Sequence, residues 1–179
     1  MSRHVAFLRG VNLGKSRRVK SEQLRSALEA AGFAEVATFR ASGNVIFDTD
    51  DDPAGLGERV EAGLAEALGF GVVVFMRSAR EVAAIAAHQP FEKKQLAASA
   101  GKLQVALLPG KPTAAARRKA LALADQEDRL AIRGSELYWL PKGGISDSEL
   151  DLKALESLVG PWTMRTMGTV EQIAAKHSG

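Results

Sequence analysis

GVNLGKS, residues 10–16, follows the apolar run VAFL and precedes a helix-like stretch. That is the setting in which a nucleotide-triphosphate loop surrounds phosphates with backbone N–H groups and a lysine. The spacing does not support this chemistry. A G-x-x-x-x-G-K-[ST] loop ending at Lys15 and Ser16 needs glycine at position 9, where the chain has Arg9. Arg17, Arg18 and Val19 also intervene before Ser21, the expected helix cap, so Lys15 and Ser16 would not open the helix. What remains are groups that bind anions by other means. Arg9 and Lys15 supply charge, Asn12 an amide donor, and Gly10 and Gly14 a backbone without side chains.

Other reactive constellations are thin. The chain has no cysteine, which excludes disulfides, thiolate metal sites and cysteine nucleophiles. His4, His88 and His177 have no metal-ligand spacing to one another or to an acid, and no metal or cofactor is expected. His4 alternates with Ala6 and Leu8 on one strand face, which suits a partly buried structural role. Asp48, Asp50 and Asp52 imitate the start of a calcium loop, but Pro53 replaces its glycine and Arg59 its closing glutamate. A turn and a helix cap are the expected use. Glu149 and Asp151 suit a helix start after Ser146 and Ser148 better than an acid–base pair. Tyr138 and Trp139 are adjacent on a strand and should face opposite sides, with at most one in the core.

The elements that must position these groups follow from period and punctuation. The 179 residues are 46% apolar and 25% charged, ordinary globular proportions. The first ten residues hold four consecutive apolar ones, too few for a signal peptide. The longest apolar run, FGVVVFM, falls far short of the roughly 20 residues of a membrane span. A soluble, cytoplasmic protein with no membrane partner is expected. The net charge of +3 is small but polarised. Residues 1–21 carry Arg3, Arg9, Lys15, Arg17, Arg18 and Lys20 and no acid, whereas residues 22–78 carry four basic and ten acidic side chains. Such a run is either a solvated basic loop or an anion-facing surface.

Alternation predicts strands over HVAFLR, VATFRA, NVIFDT and GVVVFMR. Helical spacing predicts SEQLRSALEAAGF, with Leu24, Leu28 and Ala31 on one face, and DPAGLGERVEAGLAEALGF, with Leu56, Val60, Leu64 and Leu68. The order is β-α-β-β-α-β, the ferredoxin-like arrangement. SAREVAAIAAH follows as a connecting helix with a Ser78–Glu81 capping box, and EKKQLAASAGK reads as an exposed linker. The pattern then begins again through KLQVALL, PTAAARRKALALADQ, RLAIRG, ELYWLP, SDSELDLKALESLVG and WTMRTM, with a last helix over VEQIAAKH behind Thr169. The expected fold is therefore α+β: two ferredoxin-like βαββαβ units in tandem, with antiparallel sheets and helices on one face. They span residues 1–78 and 102–179, the second with a C-terminal helix, joined by a connecting helix and linker over 79–101. The halves match in element order, with no repeat visible residue by residue.

In a sheet of order 4-1-3-2, the end of strand one lies beside the hairpin between strands two and three. Arg9, Gly10, Asn12, Gly14 and Lys15 should then converge with Ser42, Gly43 and Asn44 near the first helix start, an assembly suited to phosphate or carboxylate. Each has a structural alternative: the glycines as turn residues, Asn12 and Asn44 as partners of local backbone, Arg9 as a strand end. Arg77 is expected at the opposite edge, in a salt bridge or against the second half. Arg165 is a candidate for a cleft between the halves.

The segments LRGVNLGKSRRVK, GF, SGNVIF, MRS and PF together resemble the bacterial domain-of-unknown-function 1697 family. Its members typically open with a strand and R-G-[IV]-N-[VL]-G, then a Q/A-S-G-N-[VI]-x-F hairpin, a [VI]-x-R-[ST] strand and P-F. The resemblance is close over residues 4–91 and looser beyond. In the family Lys15 is often glycine. Its common R-N-W-N-T-V is met by Arg165, Thr169 and Val170, while Thr166, Met167 and Gly168 depart from it. The resemblance implies an α+β, ferredoxin-like architecture and supplies no reaction. Three functions compete: a site for a small anionic or phosphorylated molecule after strand one, a nucleic-acid role as an RNA-binding ferredoxin-like protein, or a protein-interaction module without catalysis. Against the second, SGNVIFDT lacks the paired aromatics that stack bases.

Overall fold

A computed structural model describes residues 1–11, 18–40 and 43–177. Among these, the strands form two four-stranded antiparallel sheets accompanied by helices, a mixed α+β fold. The chain divides into two compact units, Met1–Ala83 together with the chain from Ile173 onward, and Ala84–Gln172.

In the first unit β1 (Ser2–Arg9), β2 (Ala34–Thr38), β3 (Asn44–Thr49) and β4 (Val73–Ser78) take the order β2-β3-β1-β4. β1 is interior, with Val5 opposite Ile46 of β3 on one side and Arg77 of β4 on the other. Alternation turns Ala6 and Leu8, with Val45 and Phe47, to one face. There they pack on Leu24, Ala27 and Leu28 of α1 (Ser21–Ala30) and on Leu56, Val60 and Leu64 of α2 (Leu56–Leu68). Burying each such leucine or valine side chain is worth about 1.5–3 kcal/mol. A Cβ on Gly63 of α2 would stand 2.8 Å from the Ala31 Cβ, so the helices approach through an absent side chain. The expected Ser21 cap is not made. Ser21 already lies in the first turn, and the Lys20 N–H before it donates to Gln23 Oε1 at 2.9 Å.

In the second unit β5 (Gln104–Leu107), β6 (Asp128–Arg133), β7 (Glu136–Pro141) and β8 (Thr163–Thr166) take the order β6-β7-β5-β8. Ala106, Leu108, Leu137 and Trp139 pack on Ala120 of α5 (Ala114–Leu121) and on Leu155 and Val159 of α6 (Leu152–Val159). Asp151 caps α6 by accepting from the Ala154 N–H at 2.9 Å. Tyr138 and Trp139 are both buried, against the expectation that at most one would be, because β7 is covered on both faces. The Trp139 indole N–H donates to the buried Asp128 at 2.6 Å, and Ser148 Oγ donates to its other oxygen at 2.8 Å.

α3 (Ala79–Ala87) leaves β4 directly, opened by the expected box: Ser78 N–H to Glu81 Oε2 at 2.7 Å and Glu81 N–H to Ser78 Oγ at 3.2 Å. The stretch read as linker contains a short helix, α4 (Lys93–Ala98), whose start is secured by Glu92 N–H donating to Gln95 Oε1 at 2.9 Å. α7 (Met167–His177) begins immediately after β8 rather than behind Thr169, because Thr166 Oγ1 accepts the Thr169 N–H at 3.3 Å.

Register exposes a residue-level repeat that the linear sequence conceals. Val5-Ala6-Phe7-Leu8 on β1 corresponds to Val105-Ala106-Leu107 on β5 with the following Leu108, and Met76-Arg77-Ser78 to Met164-Arg165-Thr166. Arg77 stands opposite Val5 as Arg165 stands opposite Val105. Leu8 N–H donates to Gly43 O at 2.8 Å, and Leu108 N–H to Ser135 O at 2.9 Å.

Candidate functional site

β1 ends at Arg9, and Gly10 turns the chain with φ +85°. On the neighbouring hairpin Gly43 has φ +77°. A Cβ there would lie 2.6 Å from Val11 Cγ2 and 3.0 Å from Leu8 Cβ. The loop leaving β1 and the β2–β3 hairpin are thus in direct contact, and glycine serves both the left-handed backbone and the close approach.

Asn44 stands opposite Phe7, is fully buried, and donates from Nδ2 to Phe39 O at 2.9 Å. Phe39 N–H returns a bond to Asn44 O at 2.9 Å. Asn44 therefore clamps the hairpin from inside, a use of local backbone that Asn in turns often has. Arg9 is half-buried, and alternation places it on the face of Phe7, opposite Val73. Asn12, Gly14, Lys15 and Ser42 lie outside the described residues.

Two exposed cations at this end were not found by sequence reasoning. Arg40 has φ +57° and holds its guanidinium 5.7 Å from the centre of the Phe39 ring. Lys176 of α7 holds its ammonium 5.2 Å from the same ring. Arg40 had a signal, since it directly precedes Ala41-Ser42-Gly43. Lys176 had none, being remote in sequence. Arg18 and Lys20 are exposed on the approach to α1.

The other singled-out residues do not join this group. Arg77 is buried and donates from Nη1 to Met76 O at 2.7 Å. Arg165, in the second unit, is buried and donates to Thr163 Oγ1 at 2.9 Å and Met164 O at 2.8 Å; burial pushes its guanidinium pKa down to about 10. The aspartates of DTDDD each have a partner. Asp48 pairs with Arg3 through bonds of 2.8 and 2.9 Å, which hold its carboxyl below the usual range. Asp50 meets the N-terminal ammonium at 2.7 Å, Asp51 pairs with Arg59, and Asp52 accepts the Ala54 N–H at 2.8 Å. Among the described residues, no three His, Cys, Asp or Glu side chains are placed to hold a metal ion. His4 is buried with its ring 6.2 Å from that of Phe47; its Nε2 has no hydrogen-bond partner, and burial lowers its pKa.

Among the described residues no helix is long and apolar enough to cross a membrane. No curated protein matches the chain. The structure is similar to that of the conserved bacterial protein SP0830 from Streptococcus pneumoniae, with a TM-score of 0.76 over 100% of this chain and 99% of that one, at 21% identity. At that identity the likeness is one of fold. The family model of DUF1697, a protein of unknown function, matches residues 1–138, and the chain belongs to this family.

Proposed function

We propose that the protein binds a small anionic or phosphorylated ligand where β1 ends, with Arg9, Gly10 and Gly43 at the centre of the site. The proposed site also includes Asn12, Gly14, Lys15 and Ser42; Arg40 and Lys176 add charge at its rim, and Asn44 holds the hairpin that presents it. On this proposal each βαββαβ run is a ferredoxin-like unit, the first over residues 1–78 and the second from residue 102. The observation that carries the reading is the close approach of Gly43 to Leu8 and Val11, which brings the end of β1 against the β2–β3 hairpin. Charge-assisted hydrogen bonds of the kind these residues can make are worth about 1.5–3 kcal/mol each.

An RNA-binding role for the same topology would need aromatic rings open to bases on the central strands. Phe7, Phe47 and Phe75 are all buried, which disfavours it.

The test is amide chemical-shift mapping of the full chain with phenyl phosphate and with phenol. Saturable shifts at Gly10, Val11, Arg40 and Gly43 with the phosphate alone are expected. Equal responses to both compounds, or none at these amides, would overturn the proposal. Tight binding of single-stranded RNA with a steep salt dependence would favour the nucleic-acid reading instead.

A further inference from the structure

We propose that the second unit carries an anion site of its own, for a phosphate or similarly sized oxyanion group, in a concavity of about 230 Å³ lined by Lys111, Arg117 and Arg133 together with Pro112, Ile132 and Gly134. It lies between the loop that leaves β5 and the β6–β7 hairpin. The Leu108 N–H to Ser135 O bond that ties these segments is the counterpart of Leu8 to Gly43 in the first unit. The same end of each sheet therefore gathers cations, with different residues. The inference stands on the second unit alone and does not need the first site to exist.

Arg117 donates from Nη2 to Ile132 O at 3.1 Å, and Arg133 meets His88 Nδ1 through Nη1 at 3.0 Å. Each guanidinium has five N–H donors, so most remain for a ligand. Lys111 is exposed on the loop. Among the described residues no carboxylate forms an ion pair with Lys111, Arg117 or Arg133. Glu136, opposite Arg133 on the ladder, brings Oε2 to 3.4 Å from the place a Cβ on Gly134 would take, so one carboxylate stands beside the hollow and offsets part of its positive charge. Three cations around one hollow repel one another, and an anion relieves that repulsion while taking forked bonds from two arginines.

His88 steadies one of those arginines. Its ring stands edge-on to Tyr138 at 5.0 Å, and burial with the Arg133 charge keeps its pKa low, outweighing the opposite pull of Glu136. A neutral imidazole can accept from the guanidinium through Nδ1 and fix its orientation. Size narrows the ligand. The concavity is smaller than the roughly 300–1,000 Å³ that encloses drug-sized molecules, so it suits an oxyanion group more than a whole nucleotide.

The experiment is a titration of the isotopically labelled full chain with inorganic phosphate at constant ionic strength, followed at backbone amides. Saturable shifts are expected at Gly110, Lys111, Arg133, Gly134 and Ser135. Arg117→Gln and Arg133→Gln should each weaken binding roughly tenfold, the loss of one charge-assisted bond. Lys111→Gln alters only an exposed loop residue and should weaken binding severalfold without lowering the melting temperature. Arg118→Gln, on α5 but not lining the concavity, should change affinity less than about twofold, as screened surface charges do. Non-saturating shifts, or equal losses from Arg118→Gln and Arg117→Gln, would overturn the site in favour of a diffuse basic surface. Saturable shifts here without any at Gly10 and Gly43 would remove only the first-unit proposal. The reverse pattern would remove only this one.

Discussion

Replacing Gly43 by alanine tests the contact that brings the loop after β1 against the hairpin. The backbone there has φ +77°, where an L side chain costs about 1–2 kcal/mol. The new methyl would also meet Val11 Cγ2 at 2.6 Å and Leu8 Cβ at 3.0 Å, and crowding of a packed region typically costs about 1–3 kcal/mol. Together the loss is about 2–5 kcal/mol, a large share of the roughly 5–15 kcal/mol that stabilises a domain. Gly69 separates the two contributions, since its φ is +76° and nothing lies within 4 Å of the position a Cβ would take. Gly69→Ala should therefore cost only the backbone share, about 1–2 kcal/mol. Urea denaturation of the two variants beside the parent measures the difference. If both midpoints fall equally, the loop and the hairpin are not in contact as described.

Other expectations follow from groups outside the site. Asp128→Ala leaves the buried Trp139 N–H without its acceptor and should cost about 1–3 kcal/mol with a change in tryptophan emission, whereas Asp128→Asn retains an acceptor and should cost less. Burial holds the His4 pKa below 6.5, so the unfolded chain binds the extra proton first and stability falls as pH drops through about 6.5. His88 and His177 are shifted the same way, so His4→Leu should flatten only part of that fall, as urea midpoints taken from about pH 7.5 to 5 would register. Arg3 holds the Asp48 pKa below 3.8; the pair's contribution is complete above that value and is lost as pH falls through the lower folded pKa. A double-mutant cycle with Asp48→Asn and Arg3→Gln should give a coupling of about 1 kcal/mol at neutral pH and little in acid.

Much of the architecture was legible because it rests on periodicity. Leu24, Ala27 and Leu28 stand at i, i+3 and i+4, positions that share a face on a helix but not on a strand, and the short apolar runs bounded by turn residues suit strands. Features set by a single side chain were less accessible. Lys20 rather than Ser21 precedes α1, and α7 starts three residues ahead of the place Thr169 suggested, because both starts depend on which neighbouring oxygen captures one N–H. The repeat between VAFL and VALL was hidden because only strand register brings Arg77 and Arg165 to equivalent positions. At the site, glycine and hairpin chemistry made Gly10 and Gly43 visible. Asn44 was visible as a polar hairpin residue, but its inward turn to Phe39 depends on burial that a linear reading does not contain. Lys176 comes to Phe39 from the far end of the chain, a neighbourhood that only tertiary packing creates.

The most direct test of a built anion site at the end of β1 compares Arg9→Gln with Arg18→Gln in phosphate affinity at low and high salt. Arg9 ends the strand beside the hairpin, whereas Arg18 is exposed on the approach to α1. Losing a charge-assisted bond at Arg9 should weaken binding by about ten- to a hundredfold, and the loss should persist in high salt. Losing Arg18 should matter little, and less as salt screens it. Equal losses from the two variants, disappearing together at high salt, would contradict the site and leave a diffuse basic surface in its place.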